Sequence, residues 1–191
     1  AGMTGILSYF FVKHVIGAGE LYPIYLLVYY LSSVLGLPIW TRLANRIGKH
    51  RAFIVAVLWF AFWASWIPFI PSGNFGLFLV IMCFKGSAIG ALLAIPAAMA
   101  ADAVDIDSAR TGEQRAGLYF SVWGLLKKGA NALGGAIGLA AAAFFGFDPL
   151  ADPALAGTAE GNSDSALLWL ALLYSIVPAG FKFIALPFIW K

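Results

Sequence analysis

Long runs without charged side chains dominate this sequence and limit the folds that it can adopt. Neither the stretch from Leu21 to Thr41 nor that from Ala52 to Pro71 contains Asp, Glu, Lys or Arg. Lysine is the one charged residue type in 75–101, 116–147 and 166–190. A helix of about 20 apolar residues spans the hydrocarbon core of a bilayer. The pattern therefore predicts an all-α membrane protein.

These runs predict a bundle of six membrane segments in the order of the chain. Composition agrees, because 62% of the residues are hydrophobic and 11% are charged, whereas soluble domains average about 25% charged residues. The first segment reaches Lys13 too early to cross a bilayer, so we expect a truncated helix and a fragment of a longer protein. We place the segments at 4–19, 21–43, 52–71, 75–101, 116–146 and 165–190.

The connections between the segments differ in charge from one side to the other. Basic loops stay in the cytoplasm, so we expect an integral protein of a bacterial inner membrane with its Arg-bearing loops and Lys191 inside. The net charge is only +3, and the basic residues lie at segment ends instead of forming one basic face. We therefore expect no nucleic-acid partner. The basic residues of these loops are Arg42, Arg46, Lys49 and Arg51 in one and Arg110 and Arg115 in the other. The acidic loop on the opposite side of the membrane holds Asp148, Asp152, Glu160 and Asp164.

Residues for metal binding or catalysis are scarce. Cys83 is the single cysteine, and His14 and His50 are far apart with no metal ligand at helical spacing. No segment contains a nucleophile with a base at a matching position. We expect no metal site, no resident cofactor and no enzyme activity.

Two adjacent lysines lie deep in the fifth segment. Lys128 is 13 residues beyond Arg115, which is about 20 Å along a helix and near the middle of the bilayer. A lysine there costs about 2.5–3.5 kcal/mol on insertion scales and usually faces water or a partner. Neighbouring helical residues point about 100° apart, so Lys127 and Lys128 cannot both face one cavity. Together with Trp123, whose indole suits the apolar face of a sugar, they are our candidates for substrate binding, and helix packing is the alternative role for Trp123.

Other roles for the buried lysines stay open. A structural ion pair or snorkelling to the interface would also explain Lys127, Lys128 and the deep Lys85. Lys182 lies nearer the cytoplasmic end, and we expect it to be a snorkelling anchor.

Two stretches resemble known transporters. The sequence LANRIGKH resembles the loop motif of the major facilitator superfamily, with Asn45 where that motif has an acidic residue. The stretch from Ile95 to Gly135 resembles the glycoside–pentoside–hexuronide cation symporter family. The resemblance spans the chain and aligns with the C-terminal six of twelve helices. Its matching residues are Pro96, Asp102, Asp105, Thr111, Gly112, Arg115, Ser121, Trp123 and Lys128.

The resemblance implies a secondary transporter that works by alternating access and couples Na⁺ or H⁺ to sugar or glycoside uptake. It implies that Lys128 lies near the sugar and that the carboxylates for the coupling cation belong mainly to an N-terminal bundle, absent here. The partners implied are that bundle, the lipid bilayer and a sugar-like substrate. A lipid or a sulfonated sugar as cargo, or a membrane sensor or assembly module that transports nothing, are the alternatives.

Charged residues at the cytoplasmic mouth have two interpretations. They could form ionic locks with the N-terminal bundle and so gate the transport path, or they could be solvated charges that set the topology. We expect gating at Asp102, Asp105, Arg115 and Arg46.

Overall fold

The computed structural model describes residues 2–158 and 161–189, and they form a helical bundle. The all-α fold expected from the sequence is confirmed. Glu160, Trp190 and Lys191, which entered the loop, segment and topology predictions, lie outside the described residues. The helices are α1 (Gly2–Phe10), α2 (Tyr22–Ile47), α3 (Lys49–Ser65), α4 (Phe75–Ser87), α5 (Ile89–Thr111), α6 (Ala116–Phe144) and α7 (Asp164–Ile189).

Most of the helices are long and apolar enough to cross a bilayer. Within the described residues, four helical stretches meet both conditions: Gly19–Ile47, Lys49–Phe69, Phe75–Thr111 and Asp164–Ile184. Helix α6 has 29 residues, ample length for a span, but its lysine pair, Asn131 and glycines lower its mean hydropathy. Helix α1 has nine residues and continues as a π-helix over Phe11–Val15.

The fourth predicted segment lies within the single stretch Phe75–Thr111, which has a one-residue break in its helical hydrogen bonding. Helices α4 and α5 meet at Ala88, where the regular hydrogen-bond ladder shifts and the amide of Ala88 reaches the carbonyl oxygen of Lys85 at 3.3 Å. The sequence places Asp102 and its acidic neighbours in a loop, but α5 continues to Thr111 and carries them on its last turns. Polar residues can extend a helix beyond the hydrocarbon core because water accepts their side chains there.

Helix α2 packs tightly against the α4–α5 pair through small residues. A Cβ atom added to Gly86 would lie 2.7 Å from the carbonyl oxygen of Tyr29, and one added to Gly90 would lie 2.6 Å from that of Ser33. Small residues let backbones approach closely inside membranes, where packing replaces the hydrophobic effect as the driving force. The junction at Ala88 is thus held against α2 on both sides.

An aromatic core joins the remaining helices. The rings of Phe11 and Tyr174 stack with their centroids 4.9 Å apart, and Tyr25 and Tyr174 bring their hydroxyl oxygens to 3.3 Å. Both tyrosine side chains are buried, so this contact partly satisfies two polar groups that water cannot reach.

The long loop between α6 and α7 is fixed to the end of the π-helix. The side-chain oxygen of Asn162 accepts the backbone amide of Asp148 at 2.7 Å, and the Asn162 amide nitrogen lies 3.4 Å from Nδ1 of His14. Beside it, the amide of Gly73 donates to the carbonyl of Ile16 at 3.0 Å. These contacts gather three loops at one end of the bundle, opposite the arginine-bearing turns.

Candidate functional site

A crevice between α5 and α6 contains two of the predicted substrate-binding residues. Trp123 and Lys127 line a pocket of about 420 Å³ together with Leu92 and Pro96. Residues four apart share one face of a helix, which explains why Trp123 lies beside Lys127 rather than Lys128. This spacing is visible in the sequence and could have identified the pair.

The same tryptophan borders a second, smaller space towards α3. Trp123 and Pro96 also line a pocket of about 330 Å³ with Phe53 and Met99. An indole between two adjoining spaces offers one ring face to flat apolar surfaces, and the Lys127 ammonium supplies hydrogen-bond donors beside it. The crevice can therefore hold a ligand that has both an apolar face and polar oxygens.

Lys128 lies outside this crevice. Its side chain is exposed, as are nearly all side chains between Ala116 and Ala130. Lys128 is seven residues before Gly135, so it lies within about 20° of the helix face on which Gly135 contacts α1. Within the described residues, the contact between α1 and α6 starts at Gly2 and Asn131.

The four predicted gating residues lie at the arginine-bearing end but do not form one cluster. Asp102 accepts a charge-assisted hydrogen bond from Lys49, with 2.5 Å between Nζ and Oδ2. Arg115 pairs with Glu113 at 2.6 Å. Asp105 and Arg46 are exposed, and neither forms an ion pair within the described residues.

Lys49 is a functional candidate that sequence reasoning missed. It occupies the first position of α3, directly after Gly48, whose φ of +88° makes the sharp turn from α2. Its pair with Asp102 joins that turn to α5. The LANRIGKH motif contained the signal, but the sequence alone did not indicate which acid Lys49 would meet.

A second lysine pair lies between α3, α4 and α7. The Lys85 ammonium is 5.0 Å from the ring centroid of Phe60 and 4.6 Å from that of Tyr174. The Lys182 ammonium lies over Phe60 at 3.0 Å. The snorkelling expected for Lys182 therefore does not occur, since its ammonium turns inward to an aromatic face instead of reaching the interface.

The two ammonium groups repel each other across Phe60. Their nitrogens are no more than about 8 Å apart, the sum of their distances to the ring centroid. When both amines are protonated, they repel by at least about 2 kcal/mol at an effective dielectric constant of about 20. Cation–π contacts contribute about 0.5–2 kcal/mol each, which offsets this repulsion but provides no counter-charge.

Metal ligands are not grouped in the described part of the chain. Those residues include no set of three or more His, Cys, Asp or Glu side chains that could hold a metal ion. The thiol of Cys83 instead accepts a hydrogen bond from Ser32 at 3.2 Å.

Comparisons with known proteins agree with this architecture. The model of the family described as MFS/sugar transport protein matches residues 1–191. A glucuronide carrier protein homolog of Escherichia coli is 24% identical over 190 residues, covering 96% of this chain and 38% of that protein. An uncharacterized symporter of Synechocystis is 29% identical over 105 residues, covering 54% of this chain and 19% of the relative. No solved structure matches.

The chain thus spans less than two fifths of the length of either curated relative. Both relatives are transport proteins by name and neither is an enzyme, in agreement with the expectation drawn from the sequence. The resemblance noted in the stretch from Ile95 to Gly135 is confirmed by the match over the whole chain. This chain belongs to the MFS sugar transport protein family.

Proposed function

We propose that this chain forms the C-terminal bundle of a secondary transporter that couples Na⁺ or H⁺ to the uptake of a sugar or glycoside by alternating access. The family match over all 191 residues is the observation that carries the proposal. The names of the two relatives, a glucuronide carrier homolog and a symporter, support sugar cargo and ion coupling.

The proposed sugar site uses Trp123, Lys127 and Lys128. The indole of Trp123 stacks on the apolar face of the sugar ring, and Lys127 donates to its hydroxyl oxygens in the α5–α6 crevice. Lys128 approaches the sugar from the neighbouring face of α6. We place both lysines on a water-filled path, because a lysine in hydrocarbon needs water or a partner.

The proposed partner of this chain is an N-terminal bundle of the same transporter. The share of the relative that this chain covers supports it, since the chain spans 38% of the glucuronide carrier homolog. Acids in the described residues occur at helix ends and in loops. We therefore assign the carboxylates that bind the coupling cation to the partner bundle.

The proposed gate lies at the arginine-bearing end, which we place on the cytoplasmic side of a bacterial inner membrane. Asp102 and Arg115 exchange their present partners for groups on the N-terminal bundle when the inner mouth closes. Asp105 and Arg46, which have no ion-pair partner in the described residues, meet the same surface.

Uptake into proteoliposomes that contain the full-length transporter tests the proposal. Labelled sugars are offered with an inward Na⁺ gradient, an inward H⁺ gradient or neither. We expect one gradient to drive accumulation, and we expect Lys127→Met and Lys128→Met to reduce it. Lys13→Met is the matched control, because it removes an equal charge at the opposite end of the bundle. Sugar accumulation that needs neither gradient would contradict ion coupling, and normal uptake by both variants would contradict the assigned site.

A further inference from the structure

We propose that a groove between α2, α3 and α4 binds one anionic phospholipid from the leaflet at the arginine-bearing end. An acyl chain lies in the groove, and the lipid phosphate lies between Arg42 and Arg51. Neither sugar cargo nor ion coupling is needed for this site, and its lining comes from helices other than α6, which carries the proposed sugar site.

The groove lies within the part of the bundle that crosses the bilayer. It has a volume of about 470 Å³, within the range of about 300–1,000 Å³ typical of small-molecule sites. Helix α2 contributes Leu35 and Ile39 to its lining, and α3 contributes Val55 and Trp59. All four side chains are exposed in this bundle. They belong to two of the stretches long and apolar enough to span a membrane, so the occupant of the groove has to suit hydrocarbon.

The main polar groups of the lining already have partners inside the protein. The Ser32 hydroxyl donates to the carbonyl oxygen of Val28 at 2.6 Å. The Ser87 hydroxyl and the indole N–H of Trp59 both donate to the carbonyl oxygen of Phe84, at 2.6 Å and 2.8 Å. Each donor is therefore used. The groove favours an apolar chain over a ligand that needs hydrogen bonds.

The length of the groove matches one leaflet. Along α2 the lining extends from Ser32 to Leu43, which is about 16 Å of helix at 1.5 Å per residue. Half of a hydrocarbon core about 30 Å thick is about 15 Å. An acyl chain that fills the groove would thus have its headgroup just beyond Leu43, at the arginine-bearing end.

Both helices continue from the groove to an arginine. Arg42 lies seven residues after Leu35, and Arg51 lies four residues before Val55. Residues at these spacings share nearly the same helix face. The two guanidinium groups therefore continue the two walls of the groove in the direction that the headgroup would take.

The position and charge of these arginines suit a lipid phosphate. Arg42 directly follows the uncharged stretch 21–41, and Arg51 directly precedes the uncharged stretch 52–71, so both lie at the membrane interface. Both are exposed, and neither forms an ion pair within the described residues. Arg46 in the last turn of α2 adds positive potential. Guanidinium groups bind phosphate oxygens in a two-pronged geometry.

Native mass spectrometry of the full-length transporter, released from micelles with added lipid, tests the headgroup contact. Phosphatidylglycerol is anionic, and phosphatidylcholine with the same chains is zwitterionic. We expect the wild type to bind one phosphatidylglycerol about 30-fold more tightly than phosphatidylcholine, the effect of two basic groups beside an anionic headgroup. The double variant Arg42→Gln/Arg51→Gln should lose this preference. Arg110→Gln, which removes an exposed arginine of α5 at the same end, should keep it.

Filling the groove tests the chain contact. Val55→Trp should weaken the binding of both lipids by about tenfold, because bulk added to an occupied space costs about that much. Ile39→Trp fills the groove from α2 and takes its place if Val55→Trp does not fold. Leu168→Trp, at an exposed position of α7, is the control. Glycerol phosphate, which has no chain, should not displace the lipid.

Equal binding of the two phospholipids by the wild type overturns the phosphate site, as does a preference that survives the double arginine variant. Unchanged lipid binding in the groove-filling variants overturns the chain site, and so does displacement by glycerol phosphate. A dimer that forms only without lipid would mean that a second copy covers the groove, which also overturns the lipid site. Transport is not measured in these experiments, so each of these results leaves the proposed sugar uptake and ion coupling to their own test.

Discussion

Substituting Gly86 by alanine tests the close contact between α2 and α4. The added Cβ atom would lie 2.7 Å from the carbonyl oxygen of Tyr29, whereas ordinary van der Waals contact begins at 3.4 Å. The helices must therefore separate by about 0.7 Å. A gap of 0.5–1 Å already loses roughly a quarter to a half of each dispersion contact, and packing is the main force between membrane helices.

Gly76→Ala is a matched control in the same helix, because an added Cβ there meets no atom within 4 Å. Both variants gain the higher helix propensity of alanine, so their difference isolates the packing effect. We expect Gly86→Ala to lower the free energy of unfolding by about 1–3 kcal/mol relative to Gly76→Ala. Unfolding in mixed micelles titrated with dodecyl sulfate measures this difference. Equal stability of the two variants would refute the contact between Gly86 and Tyr29.

Three further outcomes follow from polar contacts and exposure. A double-mutant cycle on Lys49→Gln and Asp102→Asn should give a coupling of about 0.2–1 kcal/mol in the free energy of unfolding, because the ion pair is partly exposed. A larger coupling would contradict this exposure and mean that the pair is desolvated. Asn162→Ala should speed amide exchange at Asp148, whose amide loses its acceptor; unchanged exchange contradicts the loop anchor. Cys83 should resist charged thiol reagents in bilayers and react after denaturation, because it lies within the apolar stretch Phe75–Thr111, which charged reagents do not enter; fast labelling in bilayers would mean that water reaches this part of α4.

Local sequence properties predicted most of the helices, because the bilayer requires long apolar segments whatever their tertiary neighbours. The junction at Ala88 was missed because no proline marks it, whereas Pro96 and Pro178 lie inside continuous helices. The junction packs against α2 through Gly86 and Gly90, whose partners Tyr29 and Ser33 are each 57 positions earlier in the sequence. Asp102 was placed in a loop because a charge ends a membrane span but does not end a helix.

For the candidate sites too, the sequence predicts contacts within one helix but not contacts between helices. Helical spacing relates Trp123 to Lys127, and the sequence contains that information in full. By contrast, Lys85 and Lys182 are almost a hundred positions apart, and their shared contact with Phe60 depends on how three helices pack. A lysine within an apolar segment indicates that a partner is needed, but not which residue will provide it.

The junction at Ala88 also determines which part of α5 can move relative to α4. Because Gly90 packs against Ser33 two residues beyond the junction, the start of α5 is fixed to α2, and a tilt of α5 would move mainly its far end. Helix α5 is about 34 Å long, so a tilt of about 5° would displace its far end by about 3 Å. Asp102 lies 14 residues beyond Ala88, about 21 Å along α5, so the same tilt would move it by about 2 Å and lengthen the Lys49–Asp102 pair. Pro96, which lines the crevice beside Trp123, would move by about 1 Å.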